Sequence, residues 1–191
     1  MKKYYLYKVV RPILYFWMKV RYNPIVIGNE NIPKDGGVIL AGNHTNNNDP
    51  LLLGMCTRRA INFAAKIELF KGLGGPFFKG IGLIPVNRKI KDKSVIPACV
   101  SRLEEGNVVG IFPEGTINRT KDAIMPFKPG AVVMAIRSNS NIIPFAINGN
   151  YKRGKAKILV GKPYKPESSD VEKEIKILEN KVIDLLNSIG E

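Results

Sequence analysis

The chain has 191 residues, 45% of them hydrophobic, which is enough for one domain with a core of its own. Thirty Lys and Arg against sixteen Asp and Glu give a formal net charge of +14, which favours an anionic partner: nucleic acid, an anionic membrane or a phosphorylated substrate. The two cysteines, Cys56 and Cys99, lie in apolar runs, which excludes a disulfide framework or a cysteine metal site and predicts buried thiols in a reducing compartment.

The first 22 residues combine apolar, aromatic and basic side chains without any acidic residue. On a helical wheel of about 100° per residue, one face holds the following apolar side chains: Leu6, Val9, Val10, Ile13, Leu14, Phe16, Trp17 and Val20. Lys8, Arg11 and Lys19 lie opposite, which is typical of a helix in a membrane interface. The charges interrupt the run before it reaches the roughly 20 apolar residues of a membrane-spanning helix.

Residues 1–24 are therefore predicted to form an amphipathic helical segment at a membrane surface, followed by an α/β domain at residues 25–191. Pro12 is expected to kink this segment or to split it into two helices. Alternatively, the same apolar face docks on the protein's own core and leaves the basic face in water. No small-residue cleavage site follows the apolar part, so a signal peptide is not expected.

From residue 36 onward, short β-branched runs alternate with longer amphipathic runs. The predicted strands are residues 36–43, 60–66, 83–87, 107–112, 141–147 and 156–161. The predicted helices are residues 49–56, 67–82 with a glycine-rich break, 93–106, 129–140 and 168–190. This alternation predicts an α/β fold with a mostly parallel central sheet flanked by helices. The last helix is expected to dock on the sheet through its apolar stripe, in preference to forming a coiled-coil dimer.

Polar sequence follows three of the predicted strands at the point where each strand ends. His44, the only histidine, begins "HTNNND" after the first strand, Arg88 follows the third, and "PEGT" follows the fourth. Binding sites of parallel α/β sheets gather at the carboxyl ends of the strands, so these residues are candidates for one site.

His44 and Asp49 can meet only if the chain between them turns back, because residues five apart do not share a helix face. Three asparagines at residues 46–48 suit such a turn. Asp49 before Pro50 is also typical of a helix start with Asp49 as the N-cap, so the plainer interpretation is a structural connection. If Asp49 accepts from one ring nitrogen, the other can act as a base. Because Thr45 is the only protein nucleophile nearby, a substrate hydroxyl would then be the nucleophile.

Four ordered sequence blocks resemble those of the lysophosphatidic acid acyltransferase (1-acylglycerol-3-phosphate acyltransferase) family of glycerolipid acyltransferases. They are "NHTNNND" at residues 43–49, "GLIPVNR" at 82–88, "FPEGT" at 112–116 and "IIPFAI" at 142–147. The family's first block is N-H-x-x-x-x-D and its third is F-P-E-G-T-R-S. "PFKPGA" at residues 126–131 is similar to the Lys-x-Gly stretch that follows the third block. The resemblance implies that residues 25–191 form an acyltransferase domain.

The resemblance also implies an activity and a set of site residues. A fatty acyl group would pass from acyl-CoA or acyl-carrier protein to the sn-2 hydroxyl of 1-acylglycerol 3-phosphate, giving phosphatidic acid. His44 would be the general base, Asp49 its orienting partner, and Pro144 would shape the acyl-donor side. The residues expected to hold the glycerol phosphate are Arg88, Glu114, Gly115, Thr116, Arg119 and Lys128. Where the family has an arginine after Glu-Gly-Thr, this chain has Ile117, and Arg119 is the candidate to replace it.

No metal or cofactor is expected besides the acyl donor, and the expected location is the cytoplasmic face of an anionic membrane. Within the family, the acceptor could also be another lysolipid or glycerol 3-phosphate. A basic nucleic-acid-binding protein would account for the charge, but the sequence carries no known nucleic-acid-binding motif. A metal-dependent hydrolase would use His44, Asp49 and Glu114, although a zinc site usually contains more than one His or Cys.

Overall fold

A computed structural model describes residues 4–72, 74–87, 90 and 92–190. Its strands are β1 (Ile25–Ile27), β2 (Val38–Gly42), β3 (Ile61–Lys66), β4 (Ile84–Val86), β5 (Val108–Ile111), β6 (Asn141–Ile147) and β7 (Lys157–Val160). Its α-helices are α1 (Tyr5–Arg21), α2 (Asp49–Met55), α3 (Gly74–Gly80), α4 (Val95–Glu104), α5 (Gly130–Ser138) and α6 (Val171–Gly190). The strands form one sheet in the order β1-β7-β6-β2-β5-β3-β4, parallel at every pairing except that of β6 with β7. The predicted α/β fold with a mostly parallel sheet is confirmed.

Alternate side chains of the central strand β2 point to opposite faces of the sheet, because strand side chains repeat every two residues. Val38 and Leu40 pack into a cluster with residues of α1 and α2, whereas Ile39 and Ala41 pack into a cluster with residues of α4, α5 and α6. All four are buried. Both faces of this strand are therefore covered by helices, which explains why its sequence is a continuous apolar run.

Two further sequence predictions are confirmed by the fold, and one strand was not predicted. The docking of the last helix is confirmed, since Leu178 and Val182 of α6 are buried in the cluster that covers one face of the sheet. Cys56 and Cys99 are buried free thiols, as expected. The sequence did not indicate β1, which pairs in parallel with β7 at the sheet edge. With only three residues, this strand is too short to show a period of two.

The N-terminal segment forms one helix, α1, with Pro12 inside it, so the expected split into two helices is wrong, and a kink at Pro12 stays a prediction. Proline removes one helical hydrogen bond, the one that the Lys8 carbonyl would have accepted. Pro12 is exposed, so water can reach this side of the helix and satisfy the carbonyl. Neither α1 nor any other helix in the described part of the chain has the length and apolarity needed to cross a membrane.

The predicted apolar face of α1 is divided between the protein and the exterior. Val10 and Leu14 line a cavity against α2, and the neighbouring Met18 is fully buried. The other members of that face are between 41% and 71% exposed: Leu6, Val9, Ile13, Phe16, Trp17 and Val20. Arg11, expected to face water, instead donates from Nε to the carbonyl of Thr57 over 2.9 Å. The helix is thus docked on the core along one side and presents an uncovered apolar stripe along another.

Candidate active site

Loops after β2, β5 and β6 meet at the carboxyl edge of the sheet. Asn43, the first residue after β2, is buried, and its amide exchanges two hydrogen bonds of 2.8 Å with the backbone of Ile147 at the end of β6. The N–H of Asn118, in the loop after β5, donates to the carbonyl of His44 over 2.7 Å. These contacts hold the loop that carries His44 against both neighbouring strands.

His44 and Asp49 are in direct contact across the turn between them. Nδ1 of His44 lies 2.8 Å from Oδ2 of Asp49, and the two side chains are 17% and 0% exposed. An ionised carboxylate can only accept, so in a neutral imidazole paired with it Nδ1 carries the proton and Nε2 keeps a free lone pair. Within the described ranges, Nε2 has no hydrogen-bond partner. The arrangement therefore presents a base at the edge of the sheet.

The turn itself is organised around the Asp49 carboxylate. The backbone N–H groups of Thr45 and Asn46 donate to Oδ2 over 2.5 and 2.8 Å, and the Thr45 hydroxyl donates to Oδ1 over 3.2 Å. The Asn46 side chain accepts from the N–H of Asn48 over 3.0 Å, which closes a local Asx turn. Asp49 is the first residue of α2 and not the predicted N-cap, since its carboxylate points back to the upstream amides. The Thr45 hydroxyl donates to Asp49 and not to His44, so it is not placed for His44 to activate it as a nucleophile.

Aromatic side chains pack against one face of the imidazole. The His44 ring stacks on Phe112, with ring centroids 4.1 Å apart and planes at 19°. Phe112 stacks in turn on Phe63 at 6.0 Å and meets Phe145 edge to face at 5.8 Å. Phe63 also lines an apolar cavity of about 210 Å³ beneath α1. The stack fixes the plane of the imidazole, a role that the sequence did not reveal for Phe112.

Glu114 supports the His44 loop from within the protein. Its Oε1 accepts from the N–H of His44 over 2.7 Å, and its Oε2 accepts from the N–H of Met125 over 2.9 Å. The side chain is only 1% exposed. Burial raises the pKa of Glu114, while the hydrogen bonds from the two amides oppose that rise. With both oxygens already accepting, the geometry favours a role in shaping the loop over direct contact with an acceptor molecule.

The other residues predicted to bind the acceptor lie around the same loop, with one outside the described residues. Gly115 has φ +77°, a conformation that favours glycine, and a Cβ there would lie 2.4 Å from Nζ of Lys128. The lysine side chain therefore passes directly over the glycine. Thr116 and Arg119 are exposed in the segment that follows. Arg88 falls outside the described residues.

Two sequence predictions about the site remain: the role of Pro144 on the acyl-donor side, and the alternative of a metal-dependent hydrolase. Pro144, expected to shape the acyl-donor side, is buried within β6 and paired with Ala41, so it belongs to the sheet and not to its edge. Across the described segments, no three His, Cys, Asp or Glu side chains converge as metal ligands would.

Tyr151, in the loop after β6, was missed by the sequence analysis. Its hydroxyl donates to Oδ1 of Asp49 over 2.5 Å. Burial raises the pKa of Tyr151, and the Asp49 carboxylate raises it further, so the hydroxyl stays protonated and donates. The signal that could have identified Tyr151 is its place shortly after a strand that ends at the same edge of the sheet.

The chain is similar to known proteins over most of its length. The model of the Acyltransferase family matches residues 23–148. The 1-acyl-sn-glycerol-3-phosphate acyltransferase of Bacillus subtilis (strain 168) is 34% identical over 166 residues, which cover 83% of this chain and 82% of that protein. The protein of the same name from Borreliella burgdorferi is 36% identical over 129 residues, which cover 64% of this chain and 50% of that protein. The crystal structure of the 1-acyl-sn-glycerophosphate acyltransferase from Thermotoga maritima has the same fold, with a TM-score of 0.79 at 24% sequence identity over 96% of this chain and 81% of that one.

Proposed function

The chain belongs to the Acyltransferase family, whose model covers residues 23–148, and from this we propose that it acylates the sn-2 hydroxyl of 1-acylglycerol 3-phosphate to give phosphatidic acid. The names of the two relatives that are 34% and 36% identical support this choice of acceptor. The observation that carries the chemistry is the 2.8 Å contact of His44 Nδ1 with Asp49, which leaves Nε2 free. The acyl donor in this proposal is a thioester, either acyl-CoA or acyl-carrier protein.

In the proposed reaction, Nε2 of His44 takes the proton of the sn-2 hydroxyl as that oxygen attacks the thioester carbonyl. Asp49 holds the ring in the tautomer protonated on Nδ1 and stabilises the imidazolium that forms. Backbone N–H groups at the strand ends stabilise the oxyanion of the tetrahedral intermediate. When the intermediate collapses, the imidazolium returns the proton to the departing thiolate. Direct transfer, without an acyl-enzyme, agrees with the Thr45 hydroxyl being bonded to Asp49.

We place the acceptor phosphate beside the loop after β5. The ammonium of Lys128 lies over Gly115, where the absence of a side chain leaves it room. Arg119 is exposed in the same loop. It lies two residues after Ile117, which occupies the position where the family resemblance implies an arginine. Arg88 would complete the set of positive charges. Arg and Lys are the usual partners of phosphate, Arg through paired N–H groups and Lys as a point charge.

Product analysis tests this proposal. The purified protein is incubated with lysophosphatidate and, in separate reactions, acyl-CoA or acyl-carrier protein, and the lipids are identified by mass spectrometry. We expect phosphatidic acid with at least one donor and none with a His44→Ala control. Acylation of a different lysolipid or of glycerol 3-phosphate alone would replace the proposed acceptor. Failure to acylate any of these acceptors would overturn the proposal.

We also propose that α1 binds the anionic membrane surface in which the lipid substrate and product reside. The uncovered stripe lies away from the fully buried Met18. At about 100° per residue, Lys8 and Lys19 border the stripe on one side and Arg21 on the other. No acidic residue lies in the helix. Each basic residue at such a surface contributes on the order of 1 kcal/mol to membrane binding. The apolar side chains of the stripe add to this when they enter the bilayer.

Replacing Val9, Ile13 and Phe16 together by glutamine is expected to release the protein from anionic vesicles. The fold should persist because these side chains are 64%, 65% and 71% exposed. Binding is measured by co-sedimentation with vesicles of phosphatidylglycerol and phosphatidylcholine. Wild-type binding should weaken with salt, since the Debye length falls from about 10 Å at 0.1 M to about 3 Å at 1 M.

The matched control for this triple variant is Ile136→Gln, which changes an isoleucine of α5 that is 40% exposed. It should bind vesicles like the wild type. The triple variant should also retain activity toward a short-chain, water-soluble acceptor. Sedimentation of the folded triple variant at the wild-type level would refute the role of α1 at the membrane.

A further inference from the structure

We infer that Tyr151 is a positioning residue that holds the Asp49 carboxylate in place, so that Asp49 in turn orients His44. This inference rests on the proposed function, in which His44 is the general base. It concerns a residue 102 positions from Asp49 that belongs to none of the four sequence blocks. The argument comes from the distribution of hydrogen bonds around the carboxylate.

The two oxygens of the buried Asp49 carboxylate have different donors. Oδ2 accepts from His44 Nδ1 and from the backbone N–H groups of Thr45 and Asn46. Oδ1 accepts from the Thr45 hydroxyl over 3.2 Å and from the Tyr151 hydroxyl over 2.5 Å. Among the described residues, Tyr151 is thus the one donor that comes from outside the turn. Tyr151 connects the carboxylate to the rest of the domain, whereas the other donors belong to the turn and would move with it.

Tyr151 is itself fixed by the end of α1. Its ring meets the ring of Tyr22 edge to face, with centroids 5.3 Å apart and planes at 79°. The N–H of Gly154 donates to the Tyr22 carbonyl over 2.7 Å, and the Tyr22 hydroxyl accepts from Asn48 Nδ2 over 3.1 Å. Tyr22 also contacts Trp17, at 5.8 Å between centroids. Tyr151 therefore sits between the catalytic turn and the helix proposed to lie on the membrane.

The hydroxyl of Tyr151 also affects the charge that Asp49 presents to His44. The positive end of its O–H dipole offsets part of the carboxylate charge. Among the residues that the structure describes, the other titratable groups that interact with the pair or with Tyr151 are Glu114, from the loop after β5, and Tyr22, beyond Tyr151. Without the hydroxyl, the carboxylate attracts the imidazolium more strongly, so the imidazole holds its proton to higher pH. The carboxylate also loses the donor that comes from outside the turn, which loosens the orientation of the base.

Tyr151→Phe, which removes only the hydroxyl, tests this inference. We expect kcat to fall about tenfold, comparable to the smaller losses seen when the hydrogen-bond partner of a metal-ligating residue is removed, with KM unchanged for both substrates. The acidic limb of the kcat/KM profile should move to higher pH. Since His44 is the only histidine, its ring resonances can be followed by NMR, and their titration midpoint in the free protein should move the same way.

The matched control is Tyr164→Phe, because the buried Tyr164 hydroxyl has no hydrogen-bond partner within the described part of the chain. This variant should leave the rate, the pH profile and the NMR midpoint as in the wild type. A merely structural loss in Tyr151→Phe would lower activity without moving the midpoint.

The NMR titration needs no substrate, so it separates this inference from the proposed function. An unchanged midpoint in Tyr151→Phe would overturn the positioning role even if the protein acylates lysophosphatidate. A raised midpoint would support it even if the acceptor is another lipid. If Tyr151→Phe does not fold, 3,5-difluorotyrosine at position 151 keeps the hydroxyl and makes it a stronger donor. The midpoint should then move to lower pH, and an unchanged or raised midpoint would contradict the inference.

Discussion

Replacement of His44 by alanine is expected to lower kcat by about 10²–10⁴-fold, the usual contribution of a general base. No second histidine exists in the chain to take over. The loss should appear in kcat with either acyl donor, because proton removal from the acceptor is common to both reactions. Steady-state kinetics with lysophosphatidate measure it. The fold should persist, since the side chain is partly exposed and its backbone contacts to Glu114 and Asn118 remain.

His44→Gln is the matched control, because its amide can donate to Asp49 but cannot act as a base. It should be as inactive as His44→Ala while retaining more of the wild-type stability in thermal unfolding. Wild-type turnover by His44→Ala would disprove the proposed mechanism. If His44→Ala failed to fold whereas His44→Gln folded, a hydrogen-bonding side chain at position 44 would be needed to form the turn. That result would support the plainer interpretation that the stretch from His44 to Asp49 is a structural connection.

Replacement of Asp49 by asparagine is expected to lower kcat by about 10⁴-fold, as in Ser-His-Asp triads when the aspartate becomes an amide. The amide can donate to Nδ1 of His44, which places the ring proton on Nε2 and removes the base. The buried N–H groups of Thr45 and Asn46 also lose a charged acceptor. Each hydrogen bond to a charged group contributes about 1.5–3 kcal/mol, so the free energy of unfolding should fall measurably in denaturant titrations.

Asp184→Asn provides the control for the aspartate substitution, because Asp184 is exposed on α6. Its kinetics and its stability should match those of the wild type. If folded Asp49→Asn kept activity within a few-fold of the wild type, Asp49 would not be the group that selects the tautomer of His44.

The sheet and the edge that carries the site could be predicted because their signals are local. The apolar run of β2 stops directly before Asn43 and His44, and chain order places such strand ends on one side of a parallel sheet. The contact between His44 and Asp49 also depends on local sequence, since the intervening asparagines close the turn. Each of these features lies within a few residues of its cause.

The features that were missed depend on tertiary contacts. Tyr151 reaches Asp49 across 102 positions, and no sequence period links them. The sequence placed Glu114 at a strand end, but only the fold shows both of its oxygens turned inward to backbone amides. On α1, the helical wheel located an apolar arc, but the division of that arc depends on where α2 packs, which leaves Phe16 exposed while Leu14 lines the cavity against α2.

The position of Tyr22 bears on which lysolipid concentration, that in the bilayer or that in solution, determines the rate. This residue directly follows α1 and accepts from Asn48 of the turn over 3.1 Å, so the turn that carries His44 lies next to the helix proposed to bind the membrane. A lysolipid can then present its hydroxyl while its acyl chain stays in the bilayer. Full extraction of a 16-carbon chain would cost on the order of 10 kcal/mol, at about 0.8 kcal/mol per CH₂. On the proposed function, the acceptor would come from a two-dimensional pool, in which the mole fraction of lysolipid in the leaflet, and not its molarity in the suspension, would determine the occupancy of the site.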